Sequence, residues 1–159
     1  MVAAALIMMG SRPAVAQMGQ QSFPNIRLKI GALFPTDSSI GSGTWIKLGA
    51  DADLPAISLI PGLQSRVGID YEWNGGSYVI PITYSEIWQA PLGPLYLGVG
   101  AGLYTGHLKG SGTESRIGVR FIAGTSLGHG AFLELNYDVV AHFSTGRVDG
   151  LSVMVGKAF

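Results

Sequence analysis

Cysteine is absent from the 159 residues, which excludes a disulfide framework, a thiolate metal site and a cysteine nucleophile. Charge is scarce: Asp, Glu, Lys and Arg make up 13% of the chain, and ten basic residues match ten acidic ones. That balance lacks the basic excess of a nucleic-acid binder. Also missing is any apolar run of the ~18 residues that a membrane-spanning helix needs. What the chain does have is apolar bulk, 47% hydrophobic residues, together with 24 glycines. So apolar a chain does not stay disordered. Two classes remain, a soluble domain with a buried core and a β-barrel that crosses a membrane with strands.

The N-terminus reads as an address. Residues 2–9 are apolar and too short to span a bilayer, no Lys or Arg precedes them, and Ala14 and Ala16 flank Val15 in the small-x-small pattern of a signal-peptidase site. Residues 1–16 are therefore expected to be a signal peptide cleaved before Gln17, and residues 17–159 to form one exported domain.

Beyond Gln17 the recurring signal is alternation at period two, interrupted by turn residues, and no segment carries a helical period. The predicted strands are 26–34, 44–54, 63–73, 77–88, 94–104, 114–127, 131–143 and 149–159. Each approximates the ~9–11 residues with which a tilted strand crosses a bilayer. Gly- and Pro-containing stretches such as Asn74-Gly75-Gly76 and Gly128-His129-Gly130 separate them. An even count suits a closed up-and-down antiparallel barrel. Pro81, inside the fourth segment, removes a ladder donor and predicts a bulge there.

Parity sorts the side chains onto two faces. One carries Ile26, Leu28 and Ile30, then Val67, Ile69, Tyr71 and Trp73, then Leu95, Leu97 and Val99, and so on to Val153, Val155 and Phe159. The other carries Arg27, Lys29, Lys47, Arg66, Arg116 and Arg120 with Asp51, Asp53, Asp70, Glu72, Glu134 and Asp138, and also His142. That second face also bears Gly31, Gly49, Gly68, Gly100, Gly102, Gly118 and Gly124. Volume decides which face is inside. An eight-stranded barrel has room for its side chains and little else, so the bulky apolar set would overfill it. Glycines leave space for long charged groups. The expected architecture is thus an all-β, eight-stranded transmembrane barrel with a polar, Gly-rich interior. Phe34, Tyr71, Trp73, Tyr78 and Phe143 would form an outer aromatic girdle at one end, with Trp88 and Phe159 at the other. Parity places two charges outward, Glu86 and, at the penultimate outward position of the last strand, Lys157.

The alternating C-terminal segment Leu151, Val153, Val155 and Phe159, and the stretch from Pro94 to Tyr104 rich in Gly and aromatics, resemble the OmpA/OmpX-like family of eight-stranded outer-membrane barrels. The resemblance implies a monomer in the bacterial outer membrane, among its lipids, inserted by the barrel assembly machinery through the strand ending in Phe159. From the residues themselves, the charge balance and the lack of a phosphate loop, EF-hand or nucleotide fingerprint lead to the expectation of no cofactor, metal or nucleic-acid partner.

The function expected first is structural: a small, non-catalytic barrel supporting envelope integrity, its lumen closed by salt bridges, since buried charge is tolerated only when paired. A second expectation comes from His142-Phe143-Ser144-Thr145, which resembles the His-x-Ser-Asn motif of PagL-like lipid A deacylases, with Thr145 in place of Asn. There His acts as base and Ser as nucleophile toward an ester, and an acid orients the His. Here Ser152 stands at the acid's aligned position, and Asp149 is the candidate substitute. The third expectation is a narrow, porin-like channel or a small-molecule binder. His107 and His129 have no partner at a metal spacing.

Overall fold

The structure, a computed structural model, describes residues 25–37, 43–54 and 58–159. The proposed signal peptide lies outside them. Eight strands follow in chain order: β1 (Ile26–Pro35), β2 (Trp45–Leu54), β3 (Gln64–Asn74), β4 (Ser77–Gln89), β5 (Leu95–His107), β6 (Thr113–Gly128), β7 (Ala131–Val140) and β8 (Gly150–Ala158). Every neighbour pairs antiparallel, and β1 pairs with β8 to close the barrel. Closure leaves no strand edge unpaired. Ile26 and Phe159 mark the termini rim, where the Phe159 N–H donates to the Ile26 carbonyl at 2.9 Å. The other end is the loop rim.

The alternation in the sequence becomes the two faces of the wall. Arg27, Lys29, Lys47, Asp51, Asp53, Arg66, Asp70, Glu72, Arg120, Glu134 and Asp138 are buried inside. Ile30, Leu97, Val119 and Phe121 are about half exposed outside, and Ile117 reaches 74%. Glycine makes the interior fit. A Cβ on Gly118 would fall 2.7 Å from the ring of Tyr104, and one on Gly124 would overlap the ring of Tyr96. Each inward ring thus lies over bare backbone of the adjacent strand.

Three expectations are corrected. Pro81 makes no bulge: it pairs with Tyr104 of β5, and the β3 pairings Ile69↔Ile82 and Glu72↔Val79 share one register on either side of it. Its missing donor only interrupts the ladder toward β3. The register shift falls instead between Ser126 and Gly128 of β6, next to a turn in which Gly128, His129 and Gly130 all have positive φ. Secondly, β7 ends at Val140, not 143, so parity does not govern the residues beyond Val140. Phe143 is buried inside the loop rim rather than standing in the outer girdle, and His142 is exposed rather than facing the lumen. Thirdly, Arg116 sits half-buried at the loop rim, outside the charged core.

Candidate functional site

The lumen is filled in layers. At the loop rim, Leu33, Trp45, Val79, Tyr104, Leu108, Val140, Phe143 and Val148 form one buried apolar cluster. Strand ends supply Leu33, Trp45, Val79, Tyr104 and Val140. Leu108, Phe143 and Val148 come from connections that fold inward over the mouth.

Beneath this plug lies an ion-pair network. Arg120 donates to Asp138 at 2.6 and 3.1 Å and to Asp70 at 2.5 Å. Lys47 lies 2.5 Å from Glu72, 3.2 Å from Asp138 and 3.4 Å from Asp70. The Tyr104 hydroxyl donates to Asp138 at 2.6 Å, tying the plug to the charges. Nearer the termini rim, Glu134 accepts from Lys29 at 3.3 Å, Arg66 at 3.2 Å and the Tyr96 hydroxyl at 3.0 Å. Lys29 also reaches Asp51 at 2.9 Å, and Arg66 reaches Asp53 at 2.8 Å. The Arg27 guanidinium lies 3.8 Å over the Phe132 ring and donates to Tyr96 at 2.7 Å. Below these groups a mouth of about 280 Å³, lined by Arg27, Asp53, Arg66, Tyr96 and Phe132, opens at the termini rim. The arrangement links strands on opposite sides of the barrel by charge and leaves a vestibule at the termini rim.

The sequence motif at the other rim is laid out differently from a catalytic triad. His142 and Ser144 are both exposed, in a turn closed by pairing of Phe143 with Gly146. His142 Nδ1 lies against the Phe143 carbonyl oxygen. Asp149 accepts the Val140 N–H at 2.7 Å, and its second oxygen is 3.4 Å from Arg147 Nε. Its carboxylate therefore fastens the loop between β7 and β8. Among the described residues no hydrogen bond joins His142, Ser144 and Asp149. Ser152 is fully buried inside the barrel, where Lys47 donates to it at 3.3 Å.

Two residues grip this loop: Arg116, which parity set among the inward charges without this role, and Glu114, which sequence reading missed. Arg116 Nε donates to the His142 carbonyl at 2.7 Å, and its Nη2 lies 2.5 Å from Glu114, which also accepts the Ser144 N–H at 3.2 Å. Their shared parity on β6 was the available signal. A second device was equally hidden. Glu86 has outward parity yet is buried, because the β2–β3 connection folds over it: Leu59 N–H donates at 2.9 Å, Ser65 Oγ at 3.0 Å and Tyr84 OH at 2.6 Å, with Ser58 Oγ at 3.0 Å. A carboxylate on the apolar face is thereby surrounded by donors. Tyr71, Trp73 and Tyr78 do stand together on the outer wall near the loop rim, with ring centroids 5.3 and 6.1 Å apart.

Comparison with solved structures matches this architecture. The N-terminal β-barrel domain of Pseudomonas aeruginosa OprF is similar with a TM-score of 0.56 at 12% identity, over 85% of this chain and 97% of that one. Neisserial surface protein A is similar with a TM-score of 0.51 at 18% identity, over 86% and 96%. The fold is that of the eight-stranded outer-membrane barrels. A de novo designed transmembrane β-barrel also matches, with a TM-score of 0.56 at 11% identity over 89% of this chain and 100% of that one. No family model and no curated protein sequence matches the chain. The likeness is therefore one of backbone, carried by alternation and closure rather than by shared residues.

Proposed function

We propose that this chain is a small, closed barrel of the bacterial outer membrane with a structural role in the envelope, exported by residues 1–16 and working as a monomer without catalysis. The carrying observation is the lumen, occupied by an apolar plug at one rim and by paired charges beneath it. An apolar belt around the whole circumference supports membrane placement, since soluble monomers rarely expose contiguous apolar patches beyond a few hundred Å². Backbone groups at that depth need internal partners, which closure supplies. The exposed Phe159 at the end of β8 is the feature through which assembly machinery would engage the chain. Ester hydrolysis at His142 and Ser144 would require Asp149 to leave the bond that holds its loop, and the structural role requires no such change. Planar-bilayer recording is the test. The filled lumen predicts no steady open level, and a large, steady conductance would overturn the closed-barrel reading.

A further inference from the structure

We propose that the outer wall over β6 forms a groove for one acyl chain of an anionic phospholipid, with Lys157 taking the headgroup phosphate. The proposal rests on the reading of the outer belt as lipid-facing and adds a defined site to it. Cross-strand register builds the groove. One row across β5, β6 and β7 runs Leu95, Thr125, Leu133, and the next runs Leu97, Ala123, Leu135. In both rows a small side chain of β6 lies between two leucines. The leucine-bearing strands are two strand spacings, about 10 Å, apart. The third row, Val99, Phe121, Tyr137, is bulky at all three places, so the groove stops there; toward the termini rim β6 continues with Leu127, 63% exposed, and β7 with the smaller Ala131. Trp88 of β4 pairs with Leu97 and raises that wall. The resulting space is about 380 Å³. A polymethylene chain sunk between the leucines gains contact on three sides, whereas on the flat wall it gains contact on one. Dispersion energy falls steeply with any gap, so the difference selects this place.

Lys157 supplies the charge. It pairs with Ala131 of β7, one outward row nearer the rim than the Thr125 row. It is exposed on the outward face, and among the described residues it has no ion pair, only the Phe159 ring 5.4 Å from its Nζ. Lys157 does not line the groove itself: it stands on β8, one strand beyond the Leu133 and Leu135 wall, and its flexible stem, laid along the surface past Ala131, is what would bring the ammonium to a phosphate attached to a chain in the groove.

Native mass spectrometry of the refolded chain in detergent micelles tests this, with dioleoyl phosphatidylglycerol and dioleoyl phosphatidylcholine as probes. The site predicts one tightly held phosphatidylglycerol per barrel. Ala123→Phe fills the floor with an apolar side chain and should weaken retention of both lipids at least tenfold. Ala50→Phe, outward on β2, should leave retention unchanged. Lys157→Gln should abolish the preference for phosphatidylglycerol while phosphatidylcholine is still held. Undiminished retention by A123F, or uptake of many lipids without saturation, overturns the site. Gel migration of unboiled samples separates this from failure of the parent reading: a barrel that shifts on boiling but binds no lipid loses only the groove. A native chain with no shift loses the belt as well.

Discussion

Arg120 is the residue on which most of the lumen depends. It is 1% exposed and donates to carboxylates of β3 and β7, so its removal takes from Asp70 its shortest donor and from Asp138 two of its donors in a buried site. Breaking a buried pair by removing one partner costs about 3–5 kcal/mol where the charge left behind has no other partner; here Lys47 stays 3.2 Å from Asp138 and 3.4 Å from Asp70, which puts the loss at the low end of that range. Arg120→Ala should lower unfolding stability in urea by that amount, and a loss below about 1 kcal/mol would show that the network is slack. Arg120→Lys should recover only part, because an ammonium cannot fork onto both Asp138 oxygens. These charges were legible in the sequence for a simple reason: within a regular strand, period two leaves a side chain only two choices. Trp45, which lies on the inward parity of β2, belongs to the same logic and ends in the plug because it sits at the strand's end.

At the scale of elements, legibility stops where the strands stop. Phe143 and His142 were assigned by continuing the parity of β7, but β7 ends at Val140 and the chain then turns under the grip of Glu114 and Arg116. Those contacts span 26 and 30 positions in sequence, and no local period encodes them. Glu86 went astray in the opposite direction. Its parity was right, yet a connection from the preceding hairpin covers it. That cover makes a prediction. In Glu86→Ala the bonds from Leu59, Ser58, Ser65 and Tyr84 vanish together, so the turn around Leu59 should open. Chymotrypsin should cut after Leu59 markedly faster in the variant than in the native protein, both folded in detergent. Equal cleavage rates would mean that the turn is held by something other than this carboxylate. Pro81 teaches a related lesson: a lost donor needs no bulge when the register can run past it unchanged.

The whole molecule inverts the usual arrangement of a globular protein, with ions and glycines at the axis and aliphatic groups around the outside. Its stability comes from closure, which pairs every strand with two neighbours, and from a lumen whose layers tie distant strands together. Such a molecule requires a solvent that welcomes the belt and demands nothing of the backbone, and a bilayer is that solvent. The absence of native cysteine allows the claim to be tested one position at a time. Cysteine placed at Val119, in the middle of the outer wall of β6, is compared with cysteine at Ser111, in the β5–β6 connection, in chain refolded into phospholipid vesicles and exposed to a membrane-impermeant maleimide. The inverted barrel predicts that the Ser111 position labels rapidly, while the Val119 position is protected until the vesicles and fold are dissolved in denaturant. Equal, rapid labelling of both positions in intact vesicles would contradict it.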